Sequence, residues 1–552
     1  MAHPVPAPPR VPPLTGPDEE PAHPRVLEPL LLVVLVALSA VGAVIGIDLV
    51  AKLGISANTS VVGALVAMLI GRIPLNFLRR MRSVHRQNLA QSAISAATFA
   101  SANALLTSVA VPYVFGREDL VWPMLAGAFI GLVVDAWVLY RAFGSRLLPA
   151  DAAWPPGTAA AETIKAGDRG GRRALILAGG TVVGLAGTLF SLPLSAAGVA
   201  FLGNVWALMM FGIGLLLRQY SPDLFHTDIG AGFIPHGMMV GAGIVALGQA
   251  VHLLIGRRER TRRPAPVVAS AAPPADPATA YTVDERGLRS ALIRGYVLFT
   301  AGAAVLAVRG GLIGDMSVPG LIGWVLFAAF AALVHELIVG LAAMQSGWFP
   351  SFAVTLIFLI LGLAIGIPSV PLALLIGYVS ATGPAFADMG YDLKAGWLLR
   401  RDHRPWDPYE REGRRQQFLA ALIGFAVALV VVAVVWRSYF GQGLIPPVAK
   451  VYADTLRSGL GDPHTVRTML IWAVPGALIQ FLGGTRRQMG VMLATGLLIL
   501  TPQACWLVLG ALVVRVGYRR LRGPAADEEL NLVGAGLIAG SSLGDSAQIL
   551  KT

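Results

Sequence analysis

Cysteine and charge are both scarce in this sequence. The single cysteine, Cys505, excludes an intrachain disulfide framework and a thiolate metal cluster. Charged residues make up only 13% of the 552 residues, and hydrophobic residues make up 55%. Soluble domains have roughly 25% charged and 45–50% apolar residues, so the composition excludes an ordinary soluble core.

Features of several function classes are also missing. The net charge is +12, but the arginines stand in short clusters beside apolar runs, and no interleaved basic and aromatic surface indicates a nucleic-acid partner. No Gly-rich phosphate loop ending in Gly-Lys-Ser/Thr occurs, which excludes nucleotide-driven pumping. Tyr391-Asp392 and the run 459–462 imitate the aspartate motifs of intramembrane proteases, but both lie in polar stretches and no Pro-Ala-Leu follows. We therefore expect neither enzyme activity nor a cofactor.

Long apolar runs recur from Val26 to the C-terminus. They do not alternate apolar with polar residues, so they predict helices and exclude a closed β-barrel. The expected fold class is all-α, a polytopic membrane protein of about 14 to 16 transmembrane or re-entrant helices. The predicted spans are 26–50, 55–75, 89–114, 120–141, 174–196, 198–217, 231–256, 289–309, 317–341, 350–368, 369–387, 416–438, 467–483, 488–516 and 530–550.

Basic clusters predict which loops are cytoplasmic. With the N-terminus inside, the clusters at 72–86 and 141–173 both fall inside. The next three spans would leave 257–263 outside, so we expect a re-entrant segment or an additional span between 173 and 257. The run 488–516 is too long for one crossing and contains Thr501-Pro502, which predicts two short or broken helices.

A basic, Ala/Pro-rich linker divides the chain near its middle. The predicted organisation is a disordered Pro-rich cytoplasmic tail (1–25), a first helical half (26–256), the linker (257–288) and a second helical half (289–552). A weak internal repeat relates the halves: Pro155 and Lys165-Ala166-Gly167 recur as Pro384 and Lys394-Ala395-Gly396, offset by 229 residues. Such repeats are how many transporters build alternating access, although chance similarity of so short a motif is the alternative.

Two segments are candidates for lining a substrate path. The run 154–168 begins with Pro and Gly, and we expect a short helix dipping into the bilayer with its N-terminal amides open to an anionic group. An ordinary cytoplasmic loop helix is the alternative. In the third span Gln91, Ser95 and Thr98 follow helical spacing, and Ser101 continues the polar stripe. This stripe could line a path or act as packing glue between helices.

Ionisable residues inside apolar runs are candidates for proton coupling. A charge at mid-bilayer costs roughly 2.5–3.5 kcal/mol, so each position needs a reason. Glu336 is the preferred proton-coupling residue, with the adjacent His335 as a relay and Asp135 as a third candidate. The alternative for His335 and Glu336 is a structural salt bridge with a neighbouring helix. The alternative for Asp135 is a position near the end of a span. The segment 221–232 collects Asp and His residues, but its spacing matches no metal motif, and we expect no metal site.

Several of these motifs together resemble the oligopeptide transporter family. They are the Pro-Pro-Gly-Thr-Ala-Ala-Ala-Glu-Thr-Ile-Lys-Ala-Gly run at 155–167 with the preceding Gln91 to Ser101 helix, Gly383 to Asp388 leading into Asp392 to Gly396, and the closing run 536–543. The resemblance covers nearly everything after the tail. It implies a many-helix importer that couples uptake to protons, in the prokaryotic branch of the family and in the inner membrane.

The resemblance also implies partners and lining residues. The expected substrate is an oligopeptide, and a peptide-like metal chelate is the alternative, because the Asn-Pro-Gly and Lys-Ile-Pro-Pro-Arg signatures of eukaryotic peptide carriers are absent. An uncoupled channel is a less favoured alternative, and a homo-oligomer is left open. Carried over by position, the substrate-lining residues are Gln91, Ser95, Thr98, Ser101, Pro156, Gly157, Thr158 and Glu162.

Overall fold

The computed structural model of the chain describes residues 22–53, 63–64, 67–68, 80–169, 171–229, 233–255, 280–347, 349–403, 405–458, 463–498, 504–523 and 525–548. All regular secondary structure in these ranges is helical. The expected fold class, an all-α polytopic membrane protein, is thereby confirmed. The predicted span 55–75 lies almost entirely outside the described residues.

Helices of the N-terminal part of the chain are α1 (Pro29–Asp48), α2 (Val84–Phe99), α3 (Thr107–Val114), α4 (Val121–Ala142), α5 (Pro155–Arg169), α6 (Gly171–Leu189), α7 (Leu194–Leu202), α8 (Val205–Phe225) and α9 (Ile234–Ile255). A π-helical turn, Leu49–Leu53, extends α1, and another, Ala100–Leu106, joins α2 to α3. A 3₁₀ turn, Glu118–Leu120, leads into α4.

Helices of the C-terminal part are α10 (Glu285–Arg309), α11 (Leu312–Asp315), α12 (Val318–Ser346), α13 (Ser351–Ala364), α14 (Ser369–Ala381), α15 (Pro384–Arg400), α16 (Trp406–Gly441), α17 (Pro447–Ser458), α18 (Pro463–Arg487), α19 (Met489–Leu498), α20 (Ala504–Arg522) and α21 (Ala525–Gln548). Within α18 the backbone leaves helical geometry at Gly484, where φ is 66°.

Seven segments of the described chain are long and apolar enough to cross a bilayer unaided. They are Pro29–Ala51, Val84–Val114, Glu118–Ala142, Glu285–Arg309, Val318–Ser346, Ser369–Arg400 and Trp406–Gly441. The segments Ile234–Ala246, Val354–Ala364 and Met489–Leu498 are apolar but shorter. The described chain therefore combines complete crossings with partial ones.

Broken helices account for most differences from the predicted spans. The run 488–516 forms two helices, α19 and α20, as predicted. The predicted span 369–387 is wrong at its end, because the chain breaks at Thr382-Gly383, where Gly383 has a φ of 74°, and restarts as α15. The predicted span 198–217 is also wrong, because α7 ends at Leu202 and Asn204 caps the separate helix α8 by accepting from the Trp206 and Ala207 amides.

The short helix α7 lies in the region where the charge pattern requires an additional segment. Its 9 residues span about 13 Å, less than half of the roughly 30 Å hydrocarbon core. Arg515 holds its C-terminal end by donating to the carbonyl oxygens of Ala200, at 3.0 Å, and Gly203, at 2.6 Å. A helix of this length fits the re-entrant segment that the basic clusters predict between residues 173 and 257.

Packing divides the helices differently from the division along the sequence. A first bundle contains α1 to α4 together with α10, α12 and α14 to α16, and a second bundle contains α6 to α9 together with α18 to α21. Each bundle thus takes helices from both sides of the mid-chain linker. Helix α5 packs against α15 of the first bundle and α21 of the second, so it lies between them. The division into two related sequence halves stays a prediction.

Glycines hold the second bundle together by letting helix backbones touch. On α6, a Cβ atom added at Gly184 would lie 2.4 Å from the carbonyl oxygen of Leu537 on α21. On α21, one added at Gly540 would lie 2.0 Å from the carbonyl oxygen of Thr181. Gly180 and Gly536 complete a pair of small-xxx-small motifs that face each other. The closing run 536–543 therefore has a packing role.

The described residues at the edges of the predicted tail and linker are ordered parts of the fold. Residues 22–25 pack on the protein: His23 is 4% exposed, and its ring centroid lies 5.3 Å from that of His85 and 5.1 Å from that of Tyr409. Burial and the nearby Arg400 charge lower the pKa of His23 to about 3, so its ring is neutral at physiological pH. At the other boundary, α10 already begins at Glu285. Residues 1–21 and 256–279 lie outside the described residues.

Replacing Gly184 by leucine should destabilise the α6–α21 contact. The new side chain would meet backbone atoms that cannot move aside, and overpacking of this kind costs about 1–3 kcal/mol. We expect a lower apparent unfolding temperature in detergent. The matched control is Gly179→Leu on the same helix, because a Cβ there meets nothing within 4 Å. Equal loss in both variants would contradict the contact.

Candidate functional site

A carboxylate binds the chain where α14 breaks and α15 begins. Asp135 of α4 is fully buried, and its Oδ1 accepts the Gly383 amide at 3.0 Å while its Oδ2 accepts the Phe386 amide at 2.6 Å. These amides belong to the N-terminal turn of α15, whose dipole favours negative charge. Asp135 is therefore the cap of α15, supplied by another helix.

The carboxyl group of Glu336 on α12 lies beside this cap. Its side chain is fully buried and within hydrogen-bond range of the Asp135 carboxyl. Within the described residues, no N–H or O–H group of the protein donates to either Glu336 oxygen. Two carboxylates are both acceptors, so they form a hydrogen bond only when one of them carries a proton. Since the α15 amides stabilise the charge on Asp135, Glu336 is the member suited to hold the proton.

His335 does not act on Glu336 in this conformation. Its Nδ1 lies 3.1 Å from the Thr382 hydroxyl, and its Nε2 lies 3.0 Å from the Thr355 hydroxyl and 3.1 Å from the Ser351 carbonyl oxygen. The ring also packs against Gly383, where an added Cβ would lie 2.7 Å from it. His335 therefore supports the helix break from the opposite side, and the expected relay contact with Glu336 is not formed.

A second polar cluster lies further along α15. The Gln91 amide donates to Oδ1 of Asp392 at 2.5 Å, and the Ser95 hydroxyl donates to Oδ1 of Asp388 at 2.5 Å. All four side chains are at most 1% exposed. Because Asp388 and Asp392 are four residues apart on one helix, they face the same side and meet the polar stripe of α2.

Gln417 of α16 closes this cluster from the third side. Its amide nitrogen donates to the backbone carbonyl of Asp392 at 2.6 Å and to the Ser92 hydroxyl at 3.2 Å. Oδ2 of Asp392 is buried and receives no hydrogen bond within the described part of the chain. Helices α2, α15 and α16 thus converge on one buried polar volume that retains an unused acceptor.

The other half of the predicted stripe has a packing role. Thr98 donates to the Ile94 carbonyl of its own helix, and an added Cβ at Gly46 of α1 would lie 2.6 Å from the Thr98 carbonyl oxygen. Ser101 donates to the Ala43 carbonyl of α1 at 2.9 Å. In this conformation Thr98 and Ser101 therefore both lie against α1, but only Ser101 binds its backbone. Their substrate-lining role stays a prediction.

The segment 155–169 is a helix, but its start is not an open cluster of amides. Pro155 and Pro156 have no N–H, the Thr158 amide donates to the Trp154 carbonyl, and the Thr158 hydroxyl donates to the Ala153 carbonyl. At Gly157 an added Cβ would lie 2.2 Å from the Tyr391 carbonyl oxygen of α15. The helix start therefore offers fewer free amides than expected, and the anion site stays a prediction.

The same helix carries Glu162, which is bound on both sides. Its carboxylate lies 3.3 Å from the Lys165 ammonium and 3.2 Å from the Arg173 guanidinium, and the side chain is 8% exposed. These ion pairs tie α5 to the start of α6. Of the predicted lining residues, Pro156 lies against Gly347 at the end of α12, and Gly157 packs on α15. Glu162 joins α5 to α6 of the second bundle.

The sequence pattern alone does not single out Asp388 and Asp392 as site residues, although both stand in the motif that carries the resemblance. The polar residues that follow, up to Arg415, suggested a solvated stretch. In the structure Asp392 is fully buried. Their spacing of four residues within an otherwise small and apolar helix was the available signal. Among the described residues there is no group of three or more His, Cys, Asp or Glu side chains that could hold a metal ion.

Comparison with known proteins agrees with this architecture. A family model described as "OPT oligopeptide transporter protein" matches residues 31–245 and 184–545. Together these segments cover nearly all of the chain after the N-terminal tail, including both polar clusters. No curated protein matches the sequence.

Replacing Asp135 by alanine should loosen the start of α15. Loss of an N-cap costs about 0.5–2 kcal/mol, so amide exchange at residues 383–387 should accelerate roughly 2- to 30-fold. Hydrogen exchange followed by mass spectrometry measures this. Asp119→Ala is the control. Asp119 lies just before α4, the helix that carries Asp135, but it is exposed and pairs with Arg117. Unchanged exchange in Asp135→Ala would show that the cap contributes nothing.

Proposed function

Because the chain belongs to the OPT oligopeptide transporter family, we propose that it is a secondary active transporter that imports oligopeptides in symport with protons. Family membership makes it a multi-helix membrane transport protein. The proton coupling, the direction of transport and the location in a cell inner membrane are parts of the proposal. Its partners are then short peptides, protons and the surrounding lipid.

The single observation that carries the proposal is the contact between Asp135 and Glu336. Two adjacent carboxyl groups in a low-dielectric interior cannot both be ionised without a large electrostatic cost. One bound proton removes that cost and creates the hydrogen bond between them. The pair therefore forms a site whose local structure depends on whether a proton is present.

Helix α15 connects this proton site to the second polar cluster. Its first turn is held by Asp135, and Asp388 and Asp392 lie one and two turns further on. Loss of the proton makes Glu336 repel Asp135, and the strain falls on the contact between α12 and the start of α15. A shift of α15 then changes the bonds that Asp388 and Asp392 make with Ser95 and Gln91. Helix α15 would therefore have two positions, and both the proton and the substrate would change how often each position is occupied.

Gln91, Ser95, Asp388 and Asp392 are the proposed substrate-facing groups. In this conformation they are fully buried and hydrogen-bonded to one another. A peptide offers N–H and C=O groups that can replace these mutual hydrogen bonds. Opening the cluster therefore exchanges protein–protein bonds for protein–peptide bonds at small net cost.

The proton gradient supplies enough energy for accumulation. Each proton moved down 100 mV releases about 2.3 kcal/mol, which corresponds to roughly 50-fold accumulation of substrate. An uncoupled channel has no need for a protonatable pair at a helix break, so the Asp135–Glu336 contact favours a coupled carrier. Uptake of peptide-like metal chelates is the second candidate substrate class, favoured by the absence of the two eukaryotic peptide-carrier signatures.

Glu336→Gln should uncouple proton movement from transport. Glutamine keeps the size of the side chain and can donate to Asp135, so the fold is retained while the titrating proton is lost. The full chain is reconstituted in proteoliposomes with an inward proton gradient, and lumenal pH is followed while a peptide library or peptide-like chelates are added. We expect substrate-dependent acidification to disappear while substrate binding persists.

Glu412→Gln is the matched control, because Glu412 lies on α16 near the helix start, away from both clusters, and its side chain is 35% exposed. It should acidify the lumen like the unmodified protein. If Glu336→Gln acidifies normally, Glu336 is not the coupling residue. If the unmodified protein never acidifies with either substrate class, coupled import is wrong.

A comparison of Ser95→Ala with Ser101→Ala tests which of these two serines contacts the substrate and which only packs helices together. In the proposed mechanism Ser95 donates to the peptide once the cluster opens, and a hydrogen bond contributes about 0.5–1.5 kcal/mol, so its loss should raise the KM for uptake roughly 2- to 10-fold. Ser101 bonds the backbone of α1, so its loss should lower the unfolding temperature and leave KM unchanged. Equal KM values in both variants would remove Ser95 from the substrate path.

A further inference from the structure

Three arginines on the outer face of α10 form no ion pair with the part of the chain that the structure describes. Arg286, Arg289 and Arg294 are all exposed, and no described residue forms a salt bridge or side-chain hydrogen bond with any of them. Their spacing of three and five residues places them on one side of the helix. A shallow depression of about 310 Å³ lies between them, completed by Ser290 and Ile293.

The acidic residues at the same helix end are already engaged. Asp284 accepts the Gly287 amide at 2.8 Å and so caps α10. Glu285 forms an ion pair with Arg146 at 2.9 Å. Neither carboxylate forms an ion pair or side-chain hydrogen bond with the three arginines, so three guanidinium groups give the depression a net positive charge.

Arg294 lies too deep for a purely aqueous environment. Helix α10 has 25 residues and is about 37 Å long, longer than the roughly 30 Å hydrocarbon core. With Arg309 at the far surface, Arg294 lies about 22 Å away along the axis, or roughly 8 Å inside the near boundary of the core. An exposed guanidinium at that depth must extend toward the headgroups and is stabilised by an anion there.

The surface below the arginines is apolar and faces lipid. Ile293 is 53% exposed and Val297 is 59% exposed, and the stripe continues along the helix to Val305 and Val308. A ligand for this surface therefore needs an anionic group for the arginines and a hydrocarbon portion for the stripe. Basic pockets beside membrane helices bind anionic headgroups in this way.

We propose that the outer face of α10 is a binding site for an anionic phospholipid, with its phosphate held by Arg286, Arg289 and Arg294 and its acyl chain lying along Ile293 and Val297. Guanidinium groups donate two parallel hydrogen bonds to a phosphate, which favours arginine over lysine for this contact. The site is separate from both polar clusters and does not depend on the transported substrate.

The test compares lipid affinities of the full chain and a triple variant, R286Q/R289Q/R294Q. Each protein is solubilised in neutral detergent and titrated with phosphatidylglycerol or phosphatidylcholine, and native mass spectrometry reports the lipid-bound fraction. Each basic residue near an anionic lipid contributes a factor of about five, so affinity for phosphatidylglycerol should fall roughly 100-fold. Affinity for phosphatidylcholine should not change, and Arg294→Gln alone should lose about fivefold.

The control removes three arginines from the other membrane face, R309Q/R437Q/R457Q. Arg437 is 70% exposed and Arg457 is 50% exposed, and Arg309 lies at the far end of α10. This variant should bind phosphatidylglycerol like the unmodified protein. Equal loss in both triple variants would attribute the effect to net charge and overturn the site.

A competition arm identifies the source of the phosphate group. Inorganic phosphate at millimolar concentration should displace little phosphatidylglycerol, because it cannot occupy the apolar stripe. Full displacement would show that the arginines form a free-phosphate site and would overturn the lipid assignment. Unchanged affinity of R286Q/R289Q/R294Q would overturn the site itself.

Discussion

The break between α14 and α15 depends on a buried carboxylate. At Thr382-Gly383 the chain leaves helical geometry and exposes amides that the membrane interior offers no water to satisfy. Asp135 supplies both acceptors from a different helix. That solution places a negative charge in a low-dielectric region, and the charge in turn explains why a protonatable partner, Glu336, is adjacent. The helix break, the cap and the proposed proton site are therefore consequences of one constraint.

The same constraint links chemistry to motion. Helix α15 carries the capped turn at one end and the Asp388 and Asp392 cluster along its length, and in the proposed mechanism it transmits a change in protonation at Glu336 to that cluster. Helix α5 lies between the two bundles and presses Gly157 against the Tyr391 carbonyl of α15. Movement of α15 therefore requires adjustment of α5 and, through Glu162 and Arg173, of the second bundle.

Close backbone contact explains why the second bundle is so rich in glycine. Helices in lipid gain little from hydrophobic burial against each other, so they associate through packing and short contacts. Gly184 and Gly540 allow α6 and α21, which are more than 300 residues apart in the chain, to meet at backbone distance. This long-range pairing interleaves helices from both sides of the mid-chain linker within each bundle.

The sequence by itself determined the helical membrane fold, the broken region at 488–516, the family and the candidacy of Gln91, Ser95, Asp135 and Glu336, because composition and helical spacing are local properties. It could not assign Thr98 and Ser101 to α1, separate His335 from Glu336, or place Asp392 in a buried cluster. Those assignments depend on which helix stands opposite each side chain. Only the tertiary structure decides that, because the partner of a residue on a membrane helix is set by long-range packing and leaves no periodic signal in the chain.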